Sequence, residues 1–219
     1  MTEVEIEVEP SEAGFDAKRL HRLGDHLDKY VDEGHLPGVN VLVSREGKIV
    51  YRHMYGQRDM ERALPVEADT IYRFYSMTKP ITSVAIMQLY ERGVFQLKDP
   101  ISNWIPSFAE SQVFVGGDAE NPQTREASRA ISIHDLLTHT SGLTYFFHMA
   151  HVVDEMYRRA GFDWTKSPGD LESQCDILAS LPLLFDPGTE WNCSYSTDVL
   201  GRLIEVMSGL SLDAYFKRN

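Results

Sequence analysis

Ser76 and Lys79 are three residues apart in Phe74-Tyr75-Ser76-Met77-Thr78-Lys79, a spacing that stacks a hydroxyl and an amine on one face of a helix. Residues Thr70 to Tyr75 form an aromatic and β-branched run that reads as extended, and Met77, Ile81, Val84, Ala85 and Leu89 then recur at helical spacing. The chain is therefore expected to enter a helix at about Ser76, where free backbone N–H groups and the positive end of the helix dipole favour an anion. Such a pair can serve as nucleophile and base. An ordinary lysine titrates at about 10.4, so a base working near neutrality needs that value lowered by roughly 3 units, by burial or a nearby cation. Ser-x-x-Lys is a weak signal by itself, because a capping serine followed by a solvated lysine is spelled the same way.

Other chemistry finds little footing. Gly-x-Ser-x-Gly, His-Glu-x-x-His, Walker and Gly-x-Gly-x-x-Gly patterns are absent. His134 and His139 are five apart and fall off a common helical face, and His148 and His151 lack an accompanying cysteine or carboxylate cluster. All four read as packing or loop residues, and no metal or other cofactor is expected. Cys175, among Leu171, Leu178 and Leu181, reads as a small core residue.

The elements that must position the pair can be read in order. Asp16 caps a helix whose stripe is Leu20, Leu23, Leu27, Tyr30 and Val31, with Gly34 as its stop. Gly38 to Arg45 and Lys48 to Gly56 alternate about Glu46-Gly47 as a β-hairpin. The serine helix runs to about Arg92 and ends at Gly93. Pro106 to Arg129, with Gly116-Gly117 and Asn121-Pro122, reads as loop. Ser132 and Asp135 match a capping box, Thr144 to Gly169 reads as a second irregular stretch holding Tyr145, Phe146 and Phe147, and helices return at Asp170 to Leu181, Thr197 to Met207 and from Ser211. Loops this long read as lids, pocket walls or simple surface excursions. The division expected is residues 1–75, an N-terminal helix and hairpin of an α/β domain, and residues 76–219, a mainly helical domain carrying the serine helix. A two-stranded hairpin is barely stable alone, and the helix of Leu212, Tyr215 and Phe216 stops at Asn219 short of three turns. A sheet-completing C-terminal portion is thus expected outside these residues.

The net charge of -12, with no basic run, argues against nucleic acid and anionic membranes as partners. No apolar run approaches the roughly 20 residues of a membrane span. Met1 to Gly14 is acidic and lacks the features of a secretion signal, and two cysteines suit a reducing cytoplasm.

Four stretches occur together and in order: Ser76-Met77-Thr78-Lys79-Pro80 before an apolar helix, Ile133-His134-Asp135-Leu136-Leu137-Thr138-His139-Thr140-Ser141-Gly142-Leu143, Phe185-Asp186-Pro187-Gly188-Thr189-Glu190-Trp191, and Asp198-Val199-Leu200-Gly201-Arg202-Leu203-Ile204-Glu205. From Phe15 to Asn219 the chain resembles the serine β-lactamase and penicillin-binding-protein superfamily in its class C-like branch, and is most similar to family VIII carboxylesterases and related acyltransferases. The resemblance implies an α/β (α+β) β-lactamase/transpeptidase-like fold, an antiparallel sheet flanked by helices plus a helical domain, with the C-terminal strands missing here. It implies an acyl-enzyme on Ser76 with Lys79 as base, and a small-molecule ester or amide as substrate. The backbone N–H of Ser76 would supply one oxyanion donor, and the second would come from a strand outside these residues. The family's third catalytic residue is a tyrosine two places after the tryptophan of Pro-Gly-Thr-x-Trp, where this chain has Cys193; Tyr195, two places later, is the candidate phenol. The leading expectation is a carboxylesterase-type serine hydrolase. A β-lactamase or D-amino-acid peptidase, and an inactive fragment or binding module, are the alternatives, with a second copy or a complementary C-terminal segment as candidate partners.

Overall fold

A computed structural model describes residues 5–164 and 168–219, which divide into two compact units, one ending at Arg73 and the other running Phe74–Asn219. In the first, α1 (Ala17–Asp32) is capped by Asp16, whose carboxylate accepts from Arg19 N at 3.1 Å, and Gly34 follows in the left-handed region at φ 77°. Strands β1 (Gly38–Arg45) and β2 (Lys48–Asp59) pair antiparallel from Gly38↔Gly56 to Arg45↔Lys48. The turn between them has positive φ at both Glu46 and Gly47, the backbone that matches strand twist. β2 continues past the expected Gly56 because β3 (Leu64–Pro65) gives its end a second partner. Helix α1 packs across this sheet at Gly24, where a Cβ would come within 2.5 Å of the Tyr51 hydroxyl.

The second unit holds the large core. Helix α2 (Thr78–Glu91) buries Thr82, Ala85, Ile86 and Leu89, and packs against α6 (Ser196–Ser208), which buries Val199, Leu200, Leu203 and Ile204. Around them lie α3 (Ile133–Leu137), α4 (Val152–Arg159), α5 (Leu171–Ser180) and α7 (Leu212–Arg218). Gly201 permits three helices to meet, since a Cβ there would be 3.0 Å from Leu212 Cδ2 and 3.5 Å from Leu171 Cδ1. Tyr215 of α7, fully buried, donates to Gln88 Oε1 of α2 at 3.3 Å. No helix among the described residues is long and apolar enough to cross a membrane.

Three expectations need correction. Pro106 to Arg129 is not loop: a 3₁₀ turn over Pro106–Glu110 leads into an antiparallel hairpin of β4 (Gln112–Gly117) and β5 (Pro122–Glu126). Its Gly and Asn-Pro signals are the hairpin turn, closed by Asp118 accepting from Glu120 N at 2.9 Å and Asn121 N at 2.8 Å. Thr144 to Gly169 contains α4, hidden because its cap is His151, whose Nδ1 accepts from Val153 N at 3.1 Å while Asp154 bonds back to His151 N. Thr70 to Phe74 forms no strand; at Tyr75 the backbone turns through φ 45° into a 3₁₀ turn, Tyr75–Met77, and only then into α2.

The capping box at Ser132 is present, and its acid does more than cap. Asp135, 2% exposed, takes both nitrogens of Arg129 at 2.7 and 2.8 Å and also Ser132 N and Oγ. Burial pushes its carboxyl up, and the hydrogen bonds from Arg129 and Ser132 outweigh that and hold it below the ordinary value. Arg129→Ala should lower unfolding stability by about 2–3 kcal/mol at pH 7, less than a wholly buried pair because the guanidinium is half exposed. A depressed carboxylate stabilises above its unfolded pKa and stops doing so as pH falls through its folded one. Urea unfolding should therefore show the deficit of the variant closing in that acid window.

Candidate active site

Ser76 sits in the 3₁₀ turn that precedes α2, its backbone set by the positive φ of Tyr75, a conformation uncommon for a non-glycine residue and concentrated at functional sites. Pro80 is the third residue of α2, where a missing N–H costs no helical bond. One turn of backbone brings Lys79 Nζ to 2.9 Å from Ser76 Oγ, hydrogen-bonded to it. The same nitrogen lies 5.7 Å from the centroid of the Tyr145 ring. Both side chains border a cavity of about 610 Å³, within the range of small-molecule sites.

The far wall comes from two motif segments running side by side. Leu184 N donates to Gly142 O at 2.8 Å, Gly188 N to Thr140 O at 2.7 Å and Asn192 N to His139 O at 2.9 Å, with Asn192 Nδ2 reaching Leu143 O. Beneath them a buried hydroxyl chain links Ser141, Ser196 and Ser194 at 2.8 Å per step. This lattice carries Cys193 and Tyr195 to the cavity. The Cys193 thiol is free and half-buried. Tyr195 heads α6, 8% exposed, with its ring 4.8 Å from those of Tyr145 and Phe162. Burial, then the negative charge of Asp198, push the Tyr195 phenol well above its ordinary pKa, and Tyr145 behaves alike for the same two reasons. No hydrogen bond joins Tyr195 to Ser76 or Lys79 among the described residues.

The aromatics after Gly142 form a shelf. Tyr145 stacks on Phe147 at 4.6 Å, and Phe147 on Trp164 at 4.6 Å, with Trp164 67% exposed at the mouth. Two histidines expected as packing or loop residues lie close to the site. His148 lines the cavity with Nδ1 3.3 Å from Thr144 Oγ1. His139 Nδ1 is buried without a partner, and desolvation together with the Lys79 charge lowers its pKa, so the ring is neutral. His134 is exposed and His151 caps α4, while Cys175 is buried as expected. Sequence reasoning missed Asp198 and the Ser141–Ser194–Ser196 chain. Asp198 stands inside a motif quoted for the resemblance, but nothing in its spacing marks it as lining a cavity. No cluster of three His, Cys, Asp or Glu among the described residues is placed to hold a metal.

Comparison with known proteins adds relatives of this arrangement. The Beta-lactamase family model matches residues 23–219. Esterase EstB of Burkholderia gladioli is 35% identical over 211 residues, covering 94% of this chain and 50% of that protein. ML-236A carboxylate methylbutanoyltransferase mlcH of Penicillium citrinum is 32% identical over 98% of this chain and 51% of its own length. Among solved structures, EstCE1, described as a hydrolase with promiscuous acyltransferase activity, superposes with a TM-score of 0.74 at 30% identity, covering 92% of this chain and 49% of that one. Unliganded simvastatin synthase of Aspergillus terreus gives 0.76 at 29% identity, covering 93% and 52%. The chain spans about half the length of the curated relatives it matches.

The side-by-side lattice depends on Gly142, at φ 86°, where a Cβ would fall 2.4 Å from Phe185 O. Gly142→Ala should cost about 2–4 kcal/mol from strain and collision together, lowering Tm by several degrees in a thermal melt.

Proposed function

Because the chain belongs to the β-lactamase family and has its mixed α/β fold, we propose that it carries the nucleophile of a serine hydrolase cleaving carboxylic esters through an acyl-enzyme on Ser76. The observation that carries this is the 2.9 Å approach of Lys79 Nζ to Ser76 Oγ at the edge of a substrate-sized cavity. In the first step Ser76 Oγ bonds to the ester carbonyl carbon while its proton passes to the amine of Lys79. The carbonyl electrons return, the carbon–alkoxide bond breaks, and the alkoxide takes the proton from Lys79. Water then gives a proton to the same amine as its oxygen bonds to the acyl carbon, the carbon–Oγ bond breaks, the carboxylic acid leaves, and Lys79 returns the proton to Ser76 Oγ. The backbone N–H of Ser76 serves as one oxyanion donor.

Among the proposed site residues, Tyr195 contributes as a neutral phenol, a donor of its O–H and not a base, since burial opposes its ionisation. Acyl transfer, with an alcohol in place of water, is a second reading, favoured by the methylbutanoyltransferase among the relatives and by the exposed aromatic shelf, which offers an apolar acceptor a seat. Family VIII carboxylesterase is the finer assignment we propose, with a β-lactamase or D-amino-acid peptidase as the alternative within the fold. Two free thiols suit a reducing cytoplasm.

We further propose that the full site draws on a complementary C-terminal segment, the chain spanning about half the length of its curated relatives. In support, β1 has β2 as its one sheet neighbour among the described residues. Helix α2 is apolar on both faces, with Ile81 46% and Val84 61% exposed opposite its buried side.

Incubation with a fluorophosphonate probe followed by mass spectrometry should place one adduct on Ser76. Ser76→Ala should abolish it, Lys79→Ala should slow it by about 10²–10⁴-fold, and Tyr195→Phe should change it by less than about tenfold. An intact, folded protein that takes no adduct overturns the hydrolase reading in favour of an inert binding module. Hydrolysis of p-nitrophenyl butyrate but not nitrocefin or D-alanyl amides separates the esterase from its alternative.

A further inference from the structure

Asp198 occupies the first turn of α6 and borders the cavity shared by Ser76, Lys79 and Cys193. An acid at this helical position ordinarily caps or answers the helix dipole. Here the head of the helix is Tyr195, which makes no side-chain cap, and Asp198 does not bond back to it. Apart from its own backbone N–H, no group donates to the Asp198 carboxylate among the described residues. Its charge is felt instead across the cavity, by Lys79 from α2, Tyr145 from the shelf, Tyr195 at its own helix start and Cys175 from α5. Tyr195 also senses Asp163, and the charge of Lys79 is also felt by His139. Burial raises the Asp198 carboxyl to about 6, its own backbone N–H and Lys79 pulling the other way.

We propose that Asp198 is a positioning residue for acylation, the anion that stabilises the ammonium forming on Lys79 as Ser76 gives up its proton. The inference rests on Ser76 and Lys79 acting as nucleophile and base. Position 193, where the resemblance expects a phenol, holds a thiol, and Tyr195 keeps its proton. Asp198 borders the same cavity as Lys79, on the helix packed against α2, and its carboxyl feels the Lys79 charge. It moves no proton itself: the proton passes from Ser76 Oγ to Lys79 Nζ and on to the leaving alkoxide.

Removing the anion has two opposed effects, which makes the test specific. In Asp198→Asn the ammonium is less stabilised, so the plateau rate of Ser76 labelling should fall about tenfold, and Lys79 should lose its proton more easily, so the acidic limb of the rate–pH profile should move down by about one pH unit. Asp198→Glu should restore both. A lowered plateau with an unmoved limb would mean a structural role and overturn the proposal. An independent arm needs no turnover: carboxyl ¹³C NMR should follow Asp198 with a midpoint near 6, moving to higher pH in Lys79→Met. A midpoint unaltered by Lys79→Met overturns the inference, whether or not the protein labels. A wild type that never labels at Ser76 while the midpoint does move defeats the proposed function but keeps the coupling.

Discussion

The arrangement depends first on the packing of α2 against α6. Ile86 and Leu89 on one helix and Leu203 and Ile204 on the other are almost wholly excluded from solvent. Burying side chains of this size contributes about 1.5–3 kcal/mol each relative to exposure, which makes this contact costly to slide or rotate. Everything chemical hangs from its ends. The start of α2 presents Ser76 and Lys79, and the start of α6 presents Tyr195 and Asp198. A shift between these helices would pull the two sets of side chains apart, so apolar packing sets a polar geometry.

The second constraint is the pair of motif segments that precede α6. Each is irregular backbone, which must find partners for its polar groups when buried. They find them in each other, through the bonds from Leu184, Gly188 and Asn192, and in the hydroxyl chain of Ser141, Ser194 and Ser196. Asp135 anchors one segment through Arg129, and Asp186 anchors the other through Arg125 and Ser128 N. Arg125, within β5, and Arg129, just past its end, are four positions apart, so one short stretch at the end of β5 ties both segments down. This explains why a hairpin with no residue in the cavity matters to the site.

How much of this the sequence disclosed follows from the range of each interaction. Signals within one turn are readable: the Asp16 cap, the Glu46-Gly47 turn, the Ser132 box, the stops at Gly34 and Gly93, and the spacing of Ser76 and Lys79. Local signals with an unusual spelling are not. His151 caps α4 although histidine seldom does so, and β4 and β5 are short strands, ending and starting with the Gly and Pro signals, that do not alternate cleanly. Signals made only by the tertiary fold had no trace. Asp198 is legible as a helical acid, and its standing in the cavity emerges only when α2 and α6 meet.

Desolvation then acts on the titratable groups in and around that cavity. It opposes ionisation at Tyr145, Tyr195 and Cys175 and keeps His139 neutral. The Lys79 amine is held against the face of Tyr145. On the acyl-enzyme reading, proton movement runs along a short path between a hydroxyl and an amine, and the neighbouring phenols donate hydrogen bonds without competing for the proton. The remaining wall, from Tyr145 through Phe147 to Trp164, is flat and apolar. On the acyl-enzyme reading such a cavity distinguishes substrates by the size and shape of the acyl group that lies along the shelf, and places the polar selectivity at the carbonyl alone.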